Sequence, residues 1–254
     1  MTWQRSATWQ RLLRLHGLWL VCVPLLPLLA LQAKRVRKNV PRLAEATGER
    51  SGRCSVNGEL RSMRLAVVGE STAVGVGATT LDEALPGHLA RAIATRTGAN
   101  VDWTVLGGNG MTAKRVLACV CDQHEKRYDA AVVLLGVNDV FRMTSIRTWL
   151  SNLRQLTSAL TQHGCRTVLV SAVPPIGQFP ALPQPLRSVL GLRATLLDQQ
   201  LTRLASEIDE VTHCQVSFPK QPACVATDGL HPSALGYRNW AEQLALEIPA
   251  MSVP

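Results

Sequence analysis

An α/β domain, with a parallel sheet covered by helices on both faces, is the fold this sequence predicts. Three observations carry that expectation. Short continuous apolar runs recur along the body of the chain, as strands buried on both faces require. Segments with apolar residues at helical spacing separate those runs, the alternation expected of parallel strands joined by crossover helices. The length of 254 residues and hydrophobic content of 46% suit one packed domain plus a tail.

Each element follows from its own pattern. The first run, 65–68, reads Leu-Ala-Val-Val and ends in Gly69. Residues 101–106, 130–135 and 167–172 are three more, and 211–216 is a weaker fifth, so the sheet should hold about five strands. Helical spacing marks 81–96, 112–121, 146–162, 190–208 and 233–248; in the third, Leu150, Leu153, Leu156 and Leu160 line one face. Residues 173–185 break the regularity with five prolines. That loop leaves the carboxyl end of the fourth strand, where open α/β sheets bind ligands, and reads as a wall of the substrate site.

Ahead of this body lies a tail of different character. Residues 17–33 carry no charge, with Arg5, Arg11 and Arg14 before them and Lys34, Arg35, Arg37, Lys38 and Arg42 after. Such a run is just long enough to span a membrane. The chain therefore divides into a basic N-terminus with an apolar membrane anchor (1–33), a basic linker (34–62) and the α/β domain (63–254). A cleaved signal peptide is the competitor, but Leu31-Gln32-Ala33 followed by Lys-Arg lacks a small-x-small cleavage site. The slight excess of positive charge after the run leans towards a cytoplasmic body, with an exported body as the alternative.

Charge excludes one class of partner. The net charge is +9, yet residues 1–50 hold nine Lys/Arg against two Glu, while the remaining 204 residues carry only +2. A nearly neutral body with few aromatics gives no support for nucleic-acid binding. Seven cysteines include Cys119-x-Cys121, which places the two thiols on different sides of a helix and makes a poor metal clamp. Cys214 and Cys224 could bridge a loop.

Chemistry concentrates in four short motifs: Gly69-Glu70-Ser71, Asn109-Gly110-Met111-Thr112, Gly136-Val137-Asn138-Asp139 and Asp228-Gly229-Leu230-His231. The first three follow successive predicted strands, so they share one edge of a parallel sheet. Ser71 offers a hydroxyl nucleophile near a helix start, where unpaired N–H groups favour a developing oxyanion. Taken alone it would be an ordinary N-cap serine. Asn138 can donate its amide to an oxyanion, although Asn-Asp after a strand is also normal turn chemistry. Asp228 and His231, three residues apart on a turn, can bond through Nδ1 and leave Nε2 facing a hydroxyl. Pro232 then fits the first position of the last helix, with His231 near its cap. His16, His88, His124, His163 and His213 read as surface or helix-flank residues. Neither a phosphate loop nor the G-x-S-x-G elbow fits, because the glycine spacing of both is missing.

This ordered set resembles the blocks of the SGNH hydrolase superfamily, the GDSL-like lipases and esterases, over residues 63–248. The resemblance implies a flavodoxin-like three-layer α/β/α sandwich. It implies Ser71 as nucleophile with Asp228 and His231, and an oxyanion hole of the Ser71 and Gly110 N–H groups and the Asn138 amide. Gly107 or Gly108 could take the place of Gly110, but Gly-x-Thr fits the second block better. Glu70 replaces the usual aspartate, a change expected to bear on substrate preference more than on catalysis. The implied activity is cleavage of small-molecule, lipid or glycan esters through an acyl-enzyme, with no metal or organic cofactor. An acyltransferase or deacetylase acting on envelope glycans is the nearest alternative, and a membrane-anchored binding module with a dead site is another.

Overall fold

The computed structural model describes residues 23–56, 58, 61–123, 127–218 and 221–249. Helix α1 (Leu26–Asn39) comes first, then strand β1 (Ser51–Cys54) and strand β2 (Ser62–Gly69). After these, α2 (Leu85–Thr97), β3 (Asn100–Gly107), α3 (Ala113–Cys121), β4 (Ala130–Leu134) and the short α4 (Val137–Phe141) alternate. The remainder is α5 (Ile146–Gln162), β5 (Thr167–Ser171), α6 (Leu186–Ala205), β6 (Val211–Cys214) and α7 (Ala234–Glu247).

The six strands form one sheet in the order β1-β3-β2-β4-β5-β6. Strands β2 to β6 pair in parallel, and β1 runs antiparallel along β3. The parallel part has the flavodoxin-like order, with the chain reversing direction across the sheet between β2 and β4. Alternating side chains of the strands feed two cores, because successive residues point to opposite faces. Ala66, Val68 and Val133 join α3, α5 and α6 on one face. Leu65, Val67 and Val132 join α2 and α7 on the other. In α5 the spaced leucines Leu153, Leu156 and Leu160 are all fully buried, and Ser145 caps the helix by accepting from the Thr148 N–H. Truncating Leu156 to alanine would cost about 2–5 kcal/mol, the range for a buried leucine.

The sheet holds one strand more than the expected five, and the extra strand comes from the segment expected as a linker. Residues 51–54 pair with β3 as a short edge strand. Residues 46–47 also run against the turn after β2: the Ala46 N–H donates to Val74 O and the Thr47 N–H to Thr79 O. The stretch 34–62 is thus not a free tether in its described part. Its polar composition reflects an edge position, where one side of the strand faces solvent.

Residues 17–22 of the expected anchor lie outside the described residues, and residues 26–33 form the first half of α1. No helix among the described residues is long and apolar enough to cross a membrane. Helix α1 packs on the body. Leu29 is buried in the core, and Gln32 bonds the start of α6 by donating to Gln184 O and accepting from the Leu186 N–H. The described cysteines, Cys214 and Cys224 included, are free thiols.

Candidate active site

Three of the four motifs sit where their strands end. Ser71 follows β2, Gly110 follows β3 and Asn138 lies in α4 after β4, so all three reach the carboxyl edge of the sheet. This is the edge, and the reversal point, at which doubly wound folds bind ligands. Asp228 and His231 arrive from the far end of the chain on the loop before α7. Two bonds fix that last helix in place. The buried Tyr237 hydroxyl donates to Val76 O at 2.6 Å, and the Trp240 indole N–H donates to Ser171 Oγ at 3.0 Å. The helix cap is Ser233, which accepts from the Gly236 N–H. Pro232 therefore precedes the cap rather than opening the helix, and it bridges to Val225 in an antiparallel pair.

The side chains form a continuous relay. His231 Nε2 lies 2.9 Å from Ser71 Oγ, and His231 Nδ1 lies 2.5 Å from Asp228 Oδ2. Asp228 Oδ1 accepts the N–H groups of Leu230 and His231, both at 3.0 Å, so the turn itself aims the carboxylate. Burial opposes ionisation of Asp228, but the His231 ring bond and the two backbone bonds outweigh it, and its carboxyl falls below the ordinary range. The carboxylate is 2% exposed and the imidazole 21%, which leaves the relay open to a cavity only at its His231–Ser71 end.

The N–H groups nearby sort the glycines. Gly108 donates to Gly69 O, so its proton is spent on holding β3 to β2. Gly107 is packed so tightly on the Gly69 carbonyl that a Cβ could not fit. Gly110 has a left-handed φ of 73° and open space above it. No acceptor among the described residues takes the N–H of Gly110 or of Ser71. Asn109 is held from the segment expected as a linker: its N–H donates to Glu45 Oε1, while Arg50 bonds both Glu45 and Gly107 O. Nothing in the sequence pattern connects residues 45–50 with this turn.

Glu70 has a role that the motifs alone did not disclose. The residue is 2% exposed, and its carboxylate accepts from the Val137 N–H, the Asn138 N–H and Asn138 Nδ2, the last at 2.5 Å. One amide proton of Asn138 is thereby fixed and the other remains for a ligand. Burial pushes the carboxyl up to about 7, against the pull of these donors and with a further push from Asp139. Glu70 does not line the cavity. The carboxylate that replaces the usual aspartate therefore meets Asn138 and not the cavity itself. Asp139, read as turn chemistry, is fully buried and accepts the Ala113 N–H, tying the Gly110 loop to α4.

The cavity that opens at Ser71 measures about 830 Å³ and is mainly apolar, a size suited to a small organic ligand. Pro174, Pro175 and Pro180 contribute to it, so the proline-rich loop is a wall of the cavity.

Comparison with known proteins agrees with this architecture. The model of the GDSL-like Lipase/Acylhydrolase family matches residues 67–238. A GDSL-like esterase of Mycobacterium tuberculosis (Rv1075c) is 30% identical over 199 residues, covering 73% of this chain. The match spans 62% of the length of that relative. The fold is shared with the lipase Lip_vut3 from a goat rumen metagenome (TM-score 0.58, 15% identity, 72% of this chain and 96% of the other). It is shared also with a lipase/acylhydrolase from Enterococcus faecalis (TM-score 0.55, 19% identity, 73% and 94%).

Proposed function

This chain belongs to the GDSL-like lipase and acylhydrolase family; from that premise we propose that it is a hydrolase of carboxylic esters that works through an acyl-enzyme on Ser71. The observation that supports this most is the unbroken relay Asp228–His231–Ser71 ending in an apolar cavity.

His231 Nε2 takes the Ser71 proton as Oγ bonds the ester carbonyl carbon. Asp228 holds the imidazole with Nδ1–H towards itself and stabilises the imidazolium that forms. The oxyanion is met by the N–H groups of Ser71 and Gly110 and by the Asn138 proton that Glu70 leaves unused. The carbon–oxygen bond to the alcohol then breaks, and the leaving alkoxide receives the proton from His231. Water, deprotonated by the same imidazole, attacks the acyl-enzyme and releases the acid. Every group needed for these steps is supplied by the chain.

Transfer of the acyl group to a glycan, or deacetylation of one, would use the same residues. The mainly apolar cavity does not favour a polyol. Hydrolysis of p-nitrophenyl esters by the wild type and by Ser71→Ala tests the assignment: the wild type turns over and the variant does not. Equal turnover by both proteins would exclude Ser71 as nucleophile.

A further inference from the structure

Helix α1 carries two kinds of surface that the body of the protein does not use. Leu29 is buried in the core, and Gln32 and Val36, on the same side of the helix, are half-buried. Around that contact Leu25, Leu26, Leu28 and Leu31 are between 38% and 53% exposed. A basic run follows them: Lys34, Arg35, Arg37, Lys38 and Arg42 are all exposed. No Asp or Glu precedes Glu45 in the sequence, and among the described residues no carboxylate pairs with any of the five. The helix dipole accounts for Arg37 and Lys38 in the last turn of α1. It accounts neither for Lys34 and Arg35 nor for four leucines left in water, and apolar patches of this kind mark contact sites.

We propose that α1 docks the protein on the surface of a bilayer containing anionic lipid, its leucines among the acyl chains and its lysines and arginines among the headgroup phosphates. From Leu28 to Lys34 the helix axis rises about 9 Å. That matches the depth, roughly 5–10 Å, to which an interfacial helix sinks its apolar groups. The charge run fits an anionic leaflet, and long basic side chains lay their methylene stems on apolar surface while the charged heads stay in water. A nucleic acid would match the charge but leave the leucines unmatched. Residues 17–22, Gly-Leu-Trp-Leu-Val-Cys, extend the uncharged sequence ahead of α1 and offer the same interface further apolar side chains. Attachment of this kind uses one leaflet and needs no span. It also bears on the candidate active site, because Gln32 bonds Gln184 O and the Leu186 N–H at the end of the proline-rich loop that walls the cavity. Docking through α1 therefore keeps the cavity close to the lipid.

Flotation of the full-length protein with vesicles tests this, one set of phosphatidylcholine alone and one of phosphatidylcholine mixed with phosphatidylglycerol. The wild type should float with the mixed vesicles, and less so as salt is raised. Lys34→Gln/Arg35→Gln/Lys38→Gln should weaken that binding about a hundredfold, from about fivefold for each charge removed near the surface. Leu28→Ser/Leu31→Ser should weaken it by about tenfold or more. All five side chains are exposed, so both variants should unfold at the wild-type midpoint. Equal binding of the charge variant and the wild type would assign attachment to residues 1–22 alone and overturn the proposal. A wild type that stays in solution, or that binds duplex DNA more tightly than the mixed vesicles, would overturn it as well. A lowered unfolding midpoint in the leucine variant would show those leucines covered by the protein itself, within one chain or between two copies, with the same consequence. None of these readouts uses ester hydrolysis, so failure here leaves the acyl-enzyme reading standing.

Discussion

Two Asp–His pairs stand among the described residues, alike in parts and different in setting. In one, Asp228 bonds His231 Nδ1 and His231 Nε2 reaches the Ser71 hydroxyl. In the other, Asp198 lies 3.0 Å from His213 Nε2, and His213 Nδ1 lies 3.4 Å from the Thr202 hydroxyl. The second set has an acid, an imidazole and a hydroxyl, yet its acid and hydroxyl carry further bonds and its imidazole is enclosed. Asp198 Oδ1 also accepts the Val173 N–H, and the Thr202 hydroxyl donates to Asp198 O. The His213 side chain is only 7% exposed. None of the three residues lines the cavity at Ser71. What this pair does is mechanical: it fixes Val173, whose side chain leaves no room for a Cβ on Gly136 at the start of α4. The proposed mechanism accordingly places reactivity where a relay ends on a hydroxyl that faces a cavity beside unpaired N–H donors. An Asp–His contact alone does not supply it.

The largest expected effect is at the relay that faces the cavity. Ser71→Ala or His231→Ala should lower kcat for ester hydrolysis by about 10⁴-fold or more, the scale on which serine triads fail when a member is removed. Steady-state kinetics on a soluble ester checks this. Next comes Asn138→Ala, which removes one proposed oxyanion donor and should cost about 10²–10³ in kcat with little change in KM. An effect mainly on KM would place Asn138 in substrate binding instead.

Glu70→Gln should be milder, at about tenfold in kcat, because one of the bonds ordering Asn138 becomes neutral or is lost. It also has a signature in stability. Burial raises Glu70 to about 7 from an ordinary 4.5. Its contribution to stability is therefore fully present below pH 4.5 and is lost as pH rises through about 7. The Tm of the wild type relative to Glu70→Gln should fall between about pH 5 and about pH 8; a constant difference would contradict the assigned burial. Smallest in kinetics is His213→Asn. Turnover should stay within about twofold, while loss of a bond to a buried acid costs about 1–3 kcal/mol of stability, read from denaturant unfolding. A large fall in kcat with unchanged stability would show that the second pair takes part in the chemistry.

The legible parts of this molecule were those encoded locally. Helix Ile146–Gln162 carries its apolar stripe in consecutive turns, and the buried strands are unbroken apolar runs bounded by glycine or turn residues. Asp228 and His231 are three residues apart, so one turn brings them together whatever the rest of the chain does. The illegible parts depend on partners distant in sequence. Strand Ser51–Cys54 reads Ser-Gly-Arg-Cys, with no apolar alternation, and exists because β3 offers it an edge. Glu45 grips Asn109 across 64 residues, and Asp198 meets His213 only after α6 has turned back into β6. Glu70 was conspicuous in sequence as a departure beside the nucleophile, but its partners lie 67 and 68 residues away. Its effect on Asn138 needed the fold to be seen.

Covalent labelling with a fluorophosphonate, followed by peptide mapping, tests the central claim most directly. The account predicts one label per chain, on the peptide that contains Ser71. Labelling should be lost in Ser71→Ala, strongly slowed in His231→Ala and retained at the wild-type rate in His213→Asn. A label on another residue, or undiminished labelling of Ser71→Ala, would contradict it.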